Sequence, residues 1–286
     1  MPERLSPPIS ASSVTSATKR VLTALVAAPV FIGVAYLGGW WFGGLIGVIA
    51  LAAQWELYAM AAAAGLYPRR LIGLVLGGLL VLQPLAPTLL TAAVLLSIAC
   101  IVFSPFLFER DHMLVSVSVT LFGAIYPSGL LGYLIALRAG RGAEIGDHTA
   151  FFIVLLTLFV VWATDIFAYY IGRALGRHKL APTISPNKTW EGSIGGLALA
   201  IVVAVGFKLT VLDVLGWTHV AALVVIGGVL SQFGDLAESQ LKRASGLKDS
   251  GGILPGHGGL LDRFDAMLVA APLIYYYLHI VAGLIT

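Results

Sequence analysis

Apolar stretches of about twenty residues, separated by short polar segments, recur from Val21 to the C-terminal end. A helix of that length matches the ~30 Å hydrocarbon core of a bilayer. The pattern predicts an all-α, polytopic membrane protein with about nine transmembrane helices. They fall near Val21–Gly38, Trp40–Ala64, Leu71–Leu90, Thr91–Phe108, Met113–Leu137, Ala150–Ile171, Gly192–Leu212, His219–Glu238 and Ala266–Ile285. Between Leu71 and Phe108 two readings stay open: Gln83, Pro84 and Pro87 either separate two spans or kink one long, partly re-entrant helix. Residues 1–18 are rich in Ser, Thr and Pro and too poor in apolar side chains to pack, so a disordered tail is expected there. Residues 19–286 then form one membrane-embedded domain. Lys19 and Arg20 precede the first apolar run in signal-peptide order. No convincing small-residue cleavage site follows, and an uncleaved first helix is expected.

Composition sharpens the class. Hydrophobic residues make up 59% of the chain and charged residues 11%, against about 25% charged in a soluble domain, which excludes a water-soluble fold. The lone cysteine, Cys100, lies in an apolar run and leaves neither a disulfide framework nor a cysteine metal cage. A net charge of +3 is too small to suggest a nucleic-acid partner. Basic residues concentrate on one side of the alternating spans. With the N-terminus cytoplasmic, Arg4, Lys19, Arg20, Arg69, Arg70, Arg110, Arg173, Arg177, Lys179, Lys188, Lys242, Arg243, Lys248 and Arg263 fall inside, and only Arg138, Arg141 and Lys208 outside. That asymmetry obeys the positive-inside rule and requires an odd number of spans. Close glycine groups, Gly43, Gly44 and Gly47 or Gly192, Gly195 and Gly196, read as sites of tight helix packing.

Nine of the 31 charges fall in the 35 residues from Ser231 to Asp265. If the eighth helix continues through this window, Asp235, Glu238, Ser239 and Lys242 share one face. Such a face could hold a metal that contacts phosphate, or it could be a helix end emerging into water with ordinary i,i+4 pairing. A glycine-rich stretch follows, from Lys248 and Asp249 through His257 to Gly259. Its backbone could aim N–H groups at phosphate oxygens, although alone it reads as a linker. Asp262 and Asp265 then lie one helical turn apart, and either alone is explained by favourable interaction with the helix dipole. Together, Asp235, Asp249, Asp262 and Asp265 supply hard oxygen ligands suited to Mg²⁺. Lys242, Arg243, Lys248 and Arg263 supply cations suited to phosphate. The mixture fits phosphoryl or nucleotidyl transfer.

The stretch from Ser239-Gln240-Leu241-Lys242-Arg243 through Lys248-Asp249-Ser250-Gly251 and Leu254-Pro255-Gly256-His257-Gly258-Gly259 to Asp262-Arg263-Phe264-Asp265 resembles the signature of phosphatidate cytidylyltransferases. Ser185-Pro186-Asn187-Lys188-Thr189-Trp190-Glu191-Gly192 is similar to that family's other polar segment. Alone, Lys188 is one more positive-inside residue. The resemblance implies a reaction of CTP with phosphatidic acid, giving CDP-diacylglycerol and pyrophosphate. It implies catalysis with Mg²⁺ and a monovalent cation such as K⁺, with Asp235 and Asp262 as ligands and Asp249 and Asp265 as further candidates. Lys242, Arg243, Lys248, Arg263, Lys188, Asn187 and Ser239 become candidate contacts for the substrates. Lys248, Asp249 and His257 become candidates for the catalytic centre, with His257 favoured as a phosphate contact or loop-positioning group over an acid–base. A homodimer in a bacterial inner membrane, its site facing the cytoplasm, is also implied.

Two carboxylates lie within apolar runs, Asp165 and Glu56. Burial at membrane depth costs a few kcal/mol, so such groups face a polar interior or mark a site. Asp165 reads equally as site-lining or as a helix-locking hydrogen bond; Glu56 as snorkelling or paired; Lys208 as snorkelling. A CTP-dependent lipid kinase and an ion-coupled transporter using Glu56, Asp165 and Asp235 are the competing functions. The absence of a repeat and the one-sided polar window count against the transporter.

Overall fold

The computed structural model of the chain describes residues 25–143, 145–252 and 258–285. The expected N-terminal tail and His257 lie outside them. Nine apolar helices of ten residues or more stand among the described residues: α1 (Leu25–Leu37), α2 (Gly39–Ala63), α3 (Arg70–Leu82), α4 (Thr88–Val102), α5 (Arg110–Ala139), α6 (Asp147–Leu175), α7 (Trp190–Thr210), α8 (Trp217–Ala244) and α9 (Leu261–Val281). Each falls mainly within one predicted span, but among the described residues only α2 and α5 to α9 are long and apolar enough to cross a membrane. Helix α3, with 13 residues, rises only about 20 Å, short of a ~30 Å core. The reason lies in the connection to α4. Leu85 and Ala86 donate their N–H groups to Leu82 and Gln83 in consecutive tight turns, which take residues that the hydrophobic pattern assigns to the spans. The prolines therefore separate two helices. Leu76 of α3, Ala93 of α4 and Ala124 of α5 form a small core of their own.

Among the described residues the fold is helical apart from one two-stranded sheet. Strands β1 (Lys179–Ala181) and β2 (Ser185–Thr189) pair antiparallel between α6 and α7, with Lys179 opposite Thr189. The sequence reading takes this segment as a plain loop. Its strands are too short and polar for a period-two pattern to show. Thr189 ends β2 and caps α7, its hydroxyl accepting the Gly192 N–H at 3.2 Å.

The main core joins buried side chains of α1, α2, α3 and α5 to α9. Helices α6 and α7 approach most closely where glycines remove side chains. A Cβ on Gly192 or Gly196 would strike the carbonyl oxygens of Ala168 or Thr164. Gly43 abuts Leu85 in the same way, whereas Gly44 faces open space.

Buried polar groups fix the helix ends. Arg138 at the end of α5 donates to the carbonyls of Ala35 at 2.6 Å and Tyr36 at 2.8 Å, and pairs with Asp147 at the start of α6. In the second half of α2, Gln54 donates to the Gly73 carbonyl at 2.7 Å and accepts the Ser128 hydroxyl. The Tyr58 hydroxyl donates to the Thr120 carbonyl at 2.6 Å. The Lys208 ammonium turns back to the Asp213 carbonyl near the Trp217 ring.

Candidate active site

Helix α8 widens by one residue per turn over Ile226–Leu230 and then turns polar. The Ser231 hydroxyl and the Gln232 amide donate back to the carbonyls of Gly227 and Gly228, at 2.6 and 2.7 Å. Widened turns free carbonyls in this way and often mark functional sites. Gly234 then lets α8 approach α9 closely, since a Cβ there would meet the Asp265 carbonyl oxygen. The helix continues to Ala244, so Asp235, Glu238, Ser239 and Lys242 do lie along one face.

That face carries two ion-pair groups. In the first, Lys188 from β2 reaches Asp235 at 2.6 Å, while Ser239 donates its hydroxyl to the other Asp235 oxygen at 3.2 Å. In the second, one turn farther along, the Lys242 ammonium lies 2.5 Å from Glu238 and 2.6 Å from Asp262 at the start of α9. Glu238 is fully buried, so its charge balance depends on Lys242.

The first group borders a cavity of about 580 Å³ between α6, the hairpin, the start of α7 and α8. Asp165, Asn187, Lys188 and Asp235 line it, together with Tyr169, Arg173, Lys179, Ser193 and Gln232. The Ser193 hydroxyl donates to the Gln232 side-chain carbonyl at 2.9 Å, tying α7 to α8 across its floor. Asp165, late in α6, is thus placed at the cavity wall. The walls combine three cations, two carboxylates and hydroxyl and amide groups, a composition suited to a phosphorylated ligand.

The second group organises the signature loop. The other Asp262 oxygen accepts the N–H groups of Ser250 at 3.2 Å and Gly259 at 3.0 Å, closing the loop on itself. Glu56, buried near the end of α2, completes the clamp. One of its oxygens accepts the Leu261 N–H at 2.9 Å and the Ser250 hydroxyl at 3.3 Å. A Cβ on Gly251 would fall 2.5 Å from a Glu56 oxygen, and one on Gly259 would overlap Ser250. These two glycines are therefore explained by contact with the clamp.

The structure thus brings Asp165, Asn187, Lys188 and Asp235 to one cavity, and Glu238, Lys242 and Asp262 to an adjoining cluster. It does not gather Asp235, Asp249, Asp262 and Asp265 into one metal cage. Among the described residues, no group of three or more His, Cys, Asp or Glu side chains is arranged to hold an ion. Asp265 is buried between α8 and α9, with one oxygen accepting the Ala266 N–H. Lys248 and Asp249 are exposed on the loop, and Arg263 is exposed at the start of α9. Arg243 donates to the Leu247 carbonyl at 3.3 Å, at the end of its own helix. Sequence reasoning missed Arg173 and Lys179, counted only as positive-inside charges, and Tyr169 and Ser193, which carried no signal; Gln232 lay within the polar window but was given no role. It noted Glu56 as an intramembrane carboxylate, but not its partners, which lie about 200 residues away.

Comparison with known proteins extends the likeness beyond the signature. A phosphatidate cytidylyltransferase of Synechocystis is 33% identical over 282 residues, covering 91% of this chain and 96% of that protein. One of Bacillus subtilis is 34% identical over 272 residues, again 91% of this chain and 97% of that protein. One of Brucella abortus is 51% identical over 133 residues, about half of each. Residues 18–281 match the sequence profile of the cytidylyltransferase family, and the chain belongs to that family.

Proposed function

We propose that the protein is a membrane-embedded phosphatidate cytidylyltransferase, transferring CMP from CTP to phosphatidic acid with release of pyrophosphate. The observation that carries this reading is the meeting of the two polar sequence segments. Lys188 of the hairpin and Asp235 of α8 join at 2.6 Å on the rim of a cation-rich cavity, beside the loop closed on Asp262.

In the reaction, a phosphate oxygen of phosphatidate attacks the α-phosphorus of CTP, and the bond to the bridging oxygen of the departing pyrophosphate breaks. Both substrates are anions, so the chain's first task is to neutralise their charge at the moment of approach. Lys188, Arg173 and Lys179 face the cavity, and Lys242, Lys248, Arg243 and Arg263 lie around its neighbouring loop. Lys188 and Lys242 now rest on carboxylates. When phosphate oxygens arrive, these ammonium groups can exchange partners, leaving Asp235 and Asp262 as hard oxygen donors.

That pair fits Mg²⁺, which commonly takes one or two carboxylates and completes its shell with substrate phosphates and water. Asp235 and Asp262 would hold it, with Asp265 and Asp249 orienting the surrounding groups and K⁺ as a second cation. Bound there, Mg²⁺ would polarise the phosphoryl oxygens and neutralise developing charge. His257 and Asn187 are read as phosphate contacts or loop-positioning groups. Nine spans, with the shorter helices α1, α3 and α4 counted among them, a cytoplasmic N-terminus, a cytoplasm-facing site in a bacterial inner membrane and a homodimeric assembly complete the reading. It is supported by the one-sided basic residues.

The test is CTP-dependent consumption of phosphatidate by purified protein. Wild type should convert it in the presence of Mg²⁺, and Asp235→Asn should lose at least a hundredfold in rate while remaining folded. Full activity in Asp235→Asn would remove that residue from the site.

A further inference from the structure

A second cavity, of about 420 Å³, lies among the α2–α3 connection, the segment before α5 and the first turns of α5, with no lining residue in common with the first. Its walls include Tyr67, Arg69, Arg70, Glu109, His112 and Ser116. It sits at the same end of the bundle as the signature loop. Glu56, late in α2, meets Leu261 at the start of α9, and the Arg69 N–H reaches the Thr120 hydroxyl of α5 at 2.9 Å.

Neither Arg69 nor Arg70 forms an ion pair among the described residues; each is held instead by an aromatic face. The Arg69 guanidinium lies 5.6 Å from the Phe108 ring centre and that of Arg70 4.8 Å from the Trp55 ring. A cation–π contact of this kind leaves guanidinium N–H donors able to meet an oxyanion. No side chain caps the start of α3, whose N-cap is Arg69, so its first amides keep N–H donors beside the two arginines. Trp55, Tyr67, Phe103, Phe106 and Leu71 are all exposed around this end, as in the aromatic belt where membrane proteins meet lipid headgroups. The local charge is also informative. Two arginines against Glu109 leave a single positive charge, which one phosphodiester neutralises. A phosphate monoester such as phosphatidate can carry a second negative charge, which Glu109 opposes.

We propose that this cavity is a phosphate-binding site for a membrane phospholipid of the phosphodiester class, separate from the catalytic cavity and not turned over. Basic pockets between transmembrane helices are suited to such headgroups.

The test uses full-length protein in detergent, titrated with phosphatidylglycerol and read by native mass spectrometry. Binding is the readout, so the result stands apart from whether the cytidylyltransferase reading is correct. Wild type should bind one more phosphatidylglycerol than Arg69→Gln/Arg70→Gln, or bind it at least tenfold more tightly. Arg69→Lys/Arg70→Lys, which keeps the charge and guards against a folding defect, should fall between them. Millimolar inorganic phosphate that fails to displace the lipid would identify a headgroup anchored by its chains. Displacement by phosphate would mean that the phosphate group alone is recognised. Equal phosphatidylglycerol binding by wild type and the glutamine variant, or preferential binding of phosphatidate at this site, would overturn the proposal.

Discussion

Replacing Glu56 tests how the signature loop is held. In Glu56→Ala, the Leu261 N–H loses its acceptor in a buried setting, and the Ser250 hydroxyl loses its contact. An unsatisfied buried donor costs about 1–3 kcal/mol, and the space vacated beneath Gly251 and Gly259 adds a cavity penalty. A total near 3 kcal/mol corresponds to a fall in melting temperature of roughly 6–12 °C for a chain of this size. Glu56→Gln keeps an oxygen able to accept both hydrogen bonds. Its amide nitrogen would stand where the second carboxyl oxygen has no hydrogen-bond partner among the described residues, so no bond is lost and it should stay within about 3 °C of wild type. Thermal unfolding in detergent reads both. Turnover measured well below the melting transition should fall about tenfold or more in Glu56→Ala, because the loop carrying Lys248 and Asp249 is no longer fixed. Wild-type melting in Glu56→Ala, or equal losses in both variants, would refute the clamp.

Lys242→Met should be more damaging than Arg243→Met. It leaves Glu238 and Asp262 facing one another without their shared cation, a loss of about 3–5 kcal/mol for a broken buried pair, visible as a lower melting temperature. Asp262→Asn should lower turnover at least a hundredfold, and titrating Mg²⁺ against the residual rate should show a higher concentration needed for half-maximal activity. Gly196→Val should disrupt the contact between α6 and α7 and reduce the yield of folded protein, whereas Gly44→Ala, facing open space, should be neutral. A cysteine introduced at Ser245 should react with impermeant reagent only from the cytoplasmic side, and labelling only from outside would reverse the orientation.

Much of the architecture was legible because the bilayer imposes a length on apolar runs, and α2 and α5 to α9 fall where those runs predict. The α3 and α4 pair was less legible. Hydrophobicity does not distinguish an apolar turn at Leu85 and Ala86 from an apolar span, and only the prolines pointed to the break. The polar face of α8 follows from helical periodicity alone. Which cation serves which carboxylate does not, since Lys188 meets Asp235 from 47 positions away and Lys242 bridges carboxylates on two helices. The β-hairpin carrying Lys188 was invisible because its strands are stabilised by pairing and by packing on α6 and α7. Glu56 was noticed for its membrane depth, yet its partners depend on how α2 threads beneath the signature loop.

The central claim is most directly tested by supplying purified protein with phosphatidate, Mg²⁺ and CTP labelled with radioactive phosphorus at either the α or the γ position. The expected result is α-label in the lipid product and γ-label in pyrophosphate, in equal amounts. Transfer of γ-label to lipid with release of CDP would show a kinase, and no labelled lipid from either substrate would contradict the proposed activity.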